Sequence, residues 1–302
     1  MVGKLKGILI ITLISVLPTL LIWLPFFLRL ETVWGIPLRE GGMATIVANY
    51  DGPLFLVVAK TLYDPELIGN FAFNLPTEYY AAHFPLFPLL TKLLSPIFGF
   101  PYSMLIITIL SSFLAIYFFS KFIGDYVEKS HVVWMTFLFS FFPARWLIVR
   151  SVGSAEPLFL ASIIASIYFF KKEKFLLAGI WAALAQLTKS PGILLFVSYF
   201  IVLFVPNFKR AAVTSFSKWL NSYELKKLFS ISLIPISLFV LFVFYKIKLD
   251  DFFAYFHSGD NIHLFFPPFQ IFNYKQPWVG TFWLEEIIFV YLIILFGIIR
   301  LF

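Results

Sequence analysis

The chain has 302 residues, of which 61% are hydrophobic and only 13% are charged, and its net charge is +7. Soluble domains contain about 25% charged residues, so this composition excludes a soluble globular protein and predicts an all-α polytopic membrane protein. The basic residues lie between apolar segments, which is typical of membrane topology signals, and we therefore expect no nucleic-acid partner. The lack of cysteine excludes disulfides, thiol nucleophiles and cysteine-ligated metals.

The N-terminus predicts a retained membrane helix. Two lysines precede an apolar run from Gly7 to Leu28, and no small-residue cleavage site follows before Arg29. A membrane-spanning helix needs about 20 apolar residues. We predict about eight spans in a single transmembrane domain over residues 1–302, and leave open whether further helices follow its C-terminus. The segments are 7–29, 102–123, 131–149, 154–170, 175–188, 190–205, 228–247 and 284–301.

The stretch 84–99 is ambiguous, because it is short, contains Lys92 and is broken by prolines. If it crosses the membrane, the basic loops that follow all face outward. If it lies at the interface or re-enters, the N-terminus and those loops are cytoplasmic, which the positive-inside rule favours. Two long segments, 30–101 and 248–283, are then expected on the outer face. The basic residues that decide this are Lys121, Lys129, Lys171, Lys172, Lys174, Lys209, Arg210, Lys218, Lys226 and Lys227.

The first outer segment contains Asp51, followed by Gly52 and Pro53. Apolar residues at 54, 55, 58 and 62 predict an amphipathic helix lying on the membrane and starting near Asp51. One interpretation is that Asp51 only caps this helix, with proline in its first turn. The other is that Asp51 is a carboxylate at the rim of a membrane cavity, where it accepts a proton from a hydroxyl acceptor.

Three further segments combine polar residues with helix ends. The run 82–89 contains His83 and two prolines, and it is either a proline-broken interfacial segment or part of a site. Glu156 stands directly before an apolar helix, as an acid that stabilises the helix dipole would. Lys189 lies in a turn between two helices too short to span alone, so it needs a water-filled cavity or an anionic partner.

In this order the four segments resemble the PIG-V-type mannosyltransferases, members of the GT-C glycosyltransferases. The resemblance covers about residues 46–200. Each motif is weak alone, and the order and spacing make the match specific. The segments are Tyr50-Asp51-Gly52, Phe84-Pro85-Leu86-Phe87-Pro88, Ser154-Ala155-Glu156-Pro157-Leu158-Phe159 and Thr188-Lys189-Ser190.

The resemblance implies a GT-C-like helix bundle with interfacial helices in its first outer loop. It also implies transfer of a hexose, with mannose as the family-based expectation, from a polyprenyl-phosphate donor to a lipid- or protein-linked acceptor, without a cofactor. The membrane is the plasma membrane in a prokaryote and the endoplasmic reticulum in a eukaryote. His83 stands where the family usually has Phe, Ser154 where it has Tyr, Lys189 where Arg is common and Pro191 where it has Asn. These departures concern the identity of sugar and acceptor more than the reaction type.

By position, the resemblance makes Asp51 the catalytic base of an inverting displacement at the anomeric carbon. The departing lipid phosphate needs cations, for which Lys189, Arg145 and Arg150 are available. Snorkelling to the interface or pairing with Glu156 would equally explain the two arginines. Glu156, His83 and Tyr50 complete the predicted substrate-binding set.

The second outer segment contains Asp250 and Asp251, the trio His257, Asp260 and His263, and an aromatic run over 265–269. It is expected to form an acceptor site, a lid or a solvated loop, and no metal is expected to take part in the chemistry. Two other functions stay open for the whole chain. A transporter or lipid flippase would also explain charged residues inside the membrane, although no internal repeat is present. In a non-catalytic assembly subunit, Asp51 would be only a cap.

Overall fold

Apolar runs separated by short polar connections form helices here because a backbone in lipid has to satisfy its hydrogen bonds within its own segment. The computed structural model describes residues 2–211, 222–259 and 281–301. The described helices are α1 (Val2–Phe27), α2 (Met43–Val47), α3 (Gly52–Thr61), α4 (Pro65–Ile68), α5 (Leu86–Ile123), α6 (Lys129–Phe141), α7 (Ala144–Val149), α8 (Glu156–Lys171), α9 (Phe175–Gln186), α10 (Ile193–Ala211), α11 (Ser222–Leu249) and α12 (Thr281–Leu301). The described residues also include 3-10 turns at Thr77–Ala82 and Ser190–Gly192 and an antiparallel pair of short strands, β1 (Thr32–Val33) and β2 (Ile36–Pro37).

Three of the described helical segments are long and apolar enough to cross a membrane: Gly7–Phe27, Leu86–Ile123 and Leu225–Leu249. This finding confirms the prediction of a helical membrane protein. Several other predicted spans are short helices, such as α8 with 16 residues and α9 with 12 residues. The count of eight spans therefore stays a prediction.

The ambiguous stretch 84–99 and the next predicted span both belong to α5. The helix is interrupted at Gly99, whose φ of 70° lies in the left-handed region that favours glycine. Pro96 and Pro101 flank this break. The segment thus consists of two helical halves, as the separation of 84–99 from 102–123 predicted.

The predicted span 131–149 is also divided, between α6 and α7, with Pro143 at the break. A proline has no N–H to donate and disfavours a helical conformation in the residue before it. A hydropathy pattern does not register this local effect, because the residues on both sides of the break are apolar.

The chain divides into two compact units, Met1–Ser258 and Gly259–Phe302. In the first unit, α8 packs against α5 and α9, and α9 packs against α11. Alanines with no exposed surface, such as Ala161, Ala165 and Ala182, lie along these helices. Small residues allow helix backbones to approach closely, which is how helices associate in lipid. In the second unit, the described helix is α12.

Helix α3 begins one residue after Asp51, as predicted, but it is not a simple amphipathic surface helix. Phe55, Val58 and Thr61 are buried, and so are Val57 and Ala59 on other faces. Contacts with α5 and an inner core cluster cover these faces. The spacing of apolar residues predicted only one buried face. The core cluster that covers the other face includes residues distant in sequence, so the spacing does not reveal it.

Candidate functional site

Asp51 stands at the start of α3 but does not cap it. Its side chain makes no capping hydrogen bond, and among the described residues no donor bonds to its carboxylate. Asp64 provides an internal comparison, since it also precedes a helix with a proline in its first turn. Its Oδ1 accepts hydrogen bonds from the backbone N–H groups of Glu66 and Leu67, at 3.0 and 3.2 Å. A cap is therefore a sufficient account of Asp64, but not of Asp51.

The ring of His83 lies beside the Asp51 carboxylate. Their Oδ2 and Nε2 atoms are 3.9 Å apart, which is too long for a hydrogen bond. The Asp51 side chain is 63% exposed, whereas that of His83 is only 4% exposed. The carboxylate thus has open space on one side and a buried imidazole on the other.

His83 is fixed in place by aromatic and backbone contacts. Its ring meets Phe55 edge-on at 5.1 Å between centroids, and its carbonyl accepts a hydrogen bond from the hydroxyl of Tyr63 at 2.5 Å. Burial lowers the pKa of His83 below its ordinary value of 6.5, and the charge of Asp51 acts in the opposite direction. Glu156 and Lys189 also act on His83 electrostatically, so these groups belong to one cluster.

Glu156 and Lys189 form an ion pair at the start of α8. Lys189 Nζ lies 2.5 Å from Glu156 Oε1, and Ser154 Oγ bonds to the other carboxylate oxygen. The two side chains are 41% and 35% exposed, so water screens the pair in part. Lys189 thus has the anionic partner that its predicted depth in the membrane required. Glu156 also lies in the first turn of α8, where the helix dipole favours a negative charge. The predicted interaction with the dipole is therefore compatible with the ion pair.

A cavity of about 400 Å³ brings several predicted residues together. Asp51 and Glu156 face it from the starts of α3 and α8, and Tyr50 and Arg145 contribute further polar groups. Most of the remaining wall is aromatic or aliphatic. The complete lining consists of Tyr50, Asp51, Phe55, Phe139, Phe142, Pro143, Arg145, Trp146, Val149, Gly153, Ser154, Glu156, Phe159 and Leu160.

Lys189 and His83 adjoin this cavity without lining it. Lys189 reaches the lining through its ion pair with Glu156, and His83 lies behind Asp51. Two contacts hold the turn that carries Lys189. The backbone N–H of Leu86 donates to the carbonyl of Leu187 at 3.0 Å, and the Tyr255 hydroxyl donates to Ser190 Oγ at 2.7 Å.

The two predicted arginines have different surroundings. Arg145 is exposed at the cavity, whereas Arg150 is fully buried and does not line it. The Nη1 atom of Arg150 donates to the carbonyl of Ser15 on α1 at 2.7 Å, and its guanidinium lies 5.9 Å from the ring of Phe141. Arg150 therefore ties α1 to the end of α7 and does not line the cavity that contains Asp51. Neither snorkelling nor a Glu156 pair describes it.

Sequence reasoning did not select the apolar walls of the site or its outer support. Phe139, Phe142 and Trp146 occur in a chain with 41 Phe and 8 Trp, so their residue type carries no positional signal. Tyr255 contacts the site through Ser190, 65 positions earlier, and a single sequence does not reveal such a contact.

In the second predicted outer segment, the acids that the structure describes are already paired. Asp251 Oδ2 lies 2.5 Å from His257 Nδ1, and Asp250 Oδ1 lies 2.6 Å from Lys246 Nζ. Asp260, His263 and the aromatic run 265–269 lie outside the described residues. The trio with metal-like spacing therefore stays a sequence pattern.

Comparison of the chain with models of known families, with curated proteins and with solved structures finds no match.

Proposed function

We propose that this protein is a membrane-embedded glycosyltransferase that moves a hexose from a polyprenyl-phosphate donor to a lipid- or protein-linked acceptor. The observation that carries the proposal is the position of the Asp51 side chain and its lack of a capping hydrogen bond. Its carboxylate does not cap its helix, is 63% exposed and opens on an otherwise largely apolar cavity in a chain built for lipid. A carboxylate in such a position contributes little to the stability of the fold, but it can accept a proton from a bound substrate.

In the proposed reaction Asp51 is the general base. The acceptor hydroxyl oxygen forms a bond to the anomeric carbon of the hexose while its proton passes to the Asp51 carboxylate. The bond between that carbon and the phosphate oxygen breaks, its electron pair stays on the lipid phosphate, and the configuration inverts. A positioned base of this kind contributes about 10²–10⁴-fold to the rate.

Arg145 is the proposed partner of the departing phosphate. It lines the same cavity as Asp51, and a guanidinium can donate two parallel hydrogen bonds to phosphate oxygens. Lys189 is 2.5 Å from Glu156 and therefore contributes less free positive charge than its residue type implied. Its proposed role is to hold Glu156 at the cavity, where the carboxylate can accept hydrogen bonds from sugar hydroxyls.

The shape of the cavity supports an amphipathic donor. Its volume of about 400 Å³ lies at the small end of ligand sites. Aromatic side chains such as Phe142 and Trp146 offer flat surfaces for a sugar ring or the first units of a polyprenyl chain. The cavity thus combines charged and polar groups with an apolar wall, as a substrate with a charged head and an apolar tail requires.

The topology belongs to the same proposal. We infer a multi-pass GT-C-like bundle of about eight spans with a cytoplasmic N-terminus, from the distribution of Lys and Arg between apolar segments. This orientation places Asp51 and its cavity on the non-cytoplasmic face. Mannose as the sugar rests on the resemblance of the motifs alone.

A matched pair of substitutions tests the role of Asp51. Membranes carrying the wild type, Asp51→Asn or Asp64→Asn are assayed for transfer from radiolabelled polyprenyl-phosphate hexoses to lipid and protein fractions. Asp51→Asn should lower transfer at least 100-fold with little change in stability, since its carboxylate accepts no hydrogen bond from the described residues. Asp64→Asn removes the same charge but only weakens a helix cap, so transfer should persist.

Two outcomes would overturn the proposal. Full activity of Asp51→Asn beside an active wild type would remove Asp51 as the base. A wild type that transfers no hexose from any such donor would favour the transporter or flippase, and uptake or scrambling in proteoliposomes would then be measured. A non-catalytic assembly subunit would show neither activity.

A further inference from the structure

A second, larger concavity lies between α1 and the connection from α5 to α6. Its volume is about 1010 Å³. It is distinct from the site around Asp51: Thr108 of α5 contacts Ser154 at that site, and Lys121 lies about 20 Å further along the helix at ~1.5 Å per residue. We call this concavity the basal groove.

The walls of the basal groove are branched aliphatic side chains. Ile8, Ile10 and Ile14 of α1 face Val132 and Val133 of α6 across it. Ile8 is 46% exposed and Val133 is 49% exposed. In a membrane protein such a wall suits an acyl chain, because a methylene chain packs against it without loss of hydrogen bonds.

One end of the groove is basic and polar. Tyr117, Ser120 and Lys121 lie in the last two turns of α5 and Lys129 begins α6, and we call these four residues the basic end of the groove. Within the described residues, no carboxylate lies within 4.0 Å of either lysine ammonium, and Lys121 Nζ instead lies 5.5 Å from the centroid of the Tyr117 ring.

The acids in the same connection have other partners. Asp125 Oδ2 lies 2.8 Å from Lys172 Nζ, and the exposed Glu128 carboxylate lies 4.0 Å from the His131 ring. The positive end of the groove is therefore not neutralised by the described part of the chain. A ligand with a negative head and an aliphatic tail complements both the basic end and the aliphatic wall of the groove.

We propose that the basal groove binds one anionic glycerophospholipid, with the phosphate between Lys121 and Lys129 and an acyl chain along Ile8 and Ile14. Tyr117 and Ser120 provide hydroxyls for the phosphate and glycerol oxygens. A soluble anion would leave the aliphatic wall unused. A zwitterionic lipid would bring a quaternary ammonium together with its phosphate, so its head group would add no net negative charge beside the two lysines. Basic pockets between membrane helices select anionic head groups for this reason. This proposal does not depend on the function of the site around Asp51.

Native mass spectrometry of the detergent-solubilised full chain tests the proposal. Dioleoyl-phosphatidylglycerol is titrated against dioleoyl-phosphatidylcholine. The wild type should retain one phosphatidylglycerol molecule in preference to phosphatidylcholine. Lys121→Gln with Lys129→Gln should weaken retention at least five-fold, as expected from the electrostatic contribution of even one lysine near anionic lipid. The control is Lys174→Gln, which removes an exposed lysine outside the groove and should leave retention unchanged.

A second variant separates the chain-binding wall from the charges. Ile8→Trp fills the groove while both lysines remain, so retention should fall although the net charge is unchanged; the thermal unfolding of each variant is followed in parallel. Equal retention of both lipids by the wild type would overturn the proposal. So would unchanged retention in the double lysine variant, or displacement of the lipid by millimolar inorganic phosphate.

Discussion

Gly52 directly follows Asp51, so its replacement by alanine perturbs the position of the proposed base without altering its carboxylate. An added Cβ would lie 2.1 Å from the carbonyl oxygen of Val47, whereas ordinary contacts begin at 3.4 Å. The shortfall of 1.3 Å has to be relieved by movement of the backbone, since the obstacle is a main-chain carbonyl at the end of α2. The start of α3, and Asp51 with it, should therefore shift by about 1 Å.

A shift of this size is large for a catalytic group. A misplacement of about 1 Å can lower a rate by about 100-fold, and we expect a loss of that order in kcat/KM for Gly52→Ala in the hexose transfer assay. Overpacking should also destabilise the fold by about 1–3 kcal/mol, which differential scanning fluorimetry in detergent would report as a lower Tm.

Gly153→Ala is the matched control, because this glycine also lines the cavity. Its added Cβ would lie 2.1 Å from Cε and 2.7 Å from Sδ of Met104, which are atoms of a flexible side chain rather than of the backbone. Gly153→Ala should therefore retain much more activity than Gly52→Ala. Wild-type activity and Tm in Gly52→Ala would show that the turn before α3 yields freely, and that the geometry of this turn does not fix Asp51.

Two further predictions concern stability. Gly179→Ala should lower Tm, because its Cβ would lie 1.9 Å from the Ser230 carbonyl oxygen where α9 packs against α11. The control is Gly7→Ala, whose Cβ has nothing within 4 Å and which should leave Tm unchanged. Equal Tm values for the two variants would contradict the close contact between the helices. Burial lowers the pKa of His83 in the folded chain, so the imidazole of the unfolded chain binds a proton first as the pH falls below 6.5. The stability of the fold should therefore decrease as the pH falls from 6.5 through the folded-state pKa. The slope of Tm between about pH 7 and about pH 5 should therefore be smaller in His83→Gln than in the wild type, and identical slopes would refute this assignment.

The sequence determined the class of the fold because hydrophobicity and backbone hydrogen bonding are local properties. An apolar run in lipid forms a helix because its backbone hydrogen bonds have to be made within the same segment. The first helix and the start of α3 lie where the sequence pattern predicted them. Residue types also indicated that Lys189 needs a water-filled cavity or an anionic partner. That partner, Glu156, is 33 positions away, and helix packing rather than spacing brings the two together.

Only the tertiary structure decided which polar residues share a site. Asp51 and Asp64 look alike in sequence, since each stands at a helix start shortly before a proline, yet one opens on a cavity and the other caps its own helix. Arg145 and Arg150 are likewise equivalent by sequence, but one lines the cavity and the other binds the carbonyl of Ser15. The physical reason is the same in both cases. Helix propensity and capping depend on neighbours within a few positions, whereas the surroundings of a side chain depend on the packing of helices that are far apart in the chain.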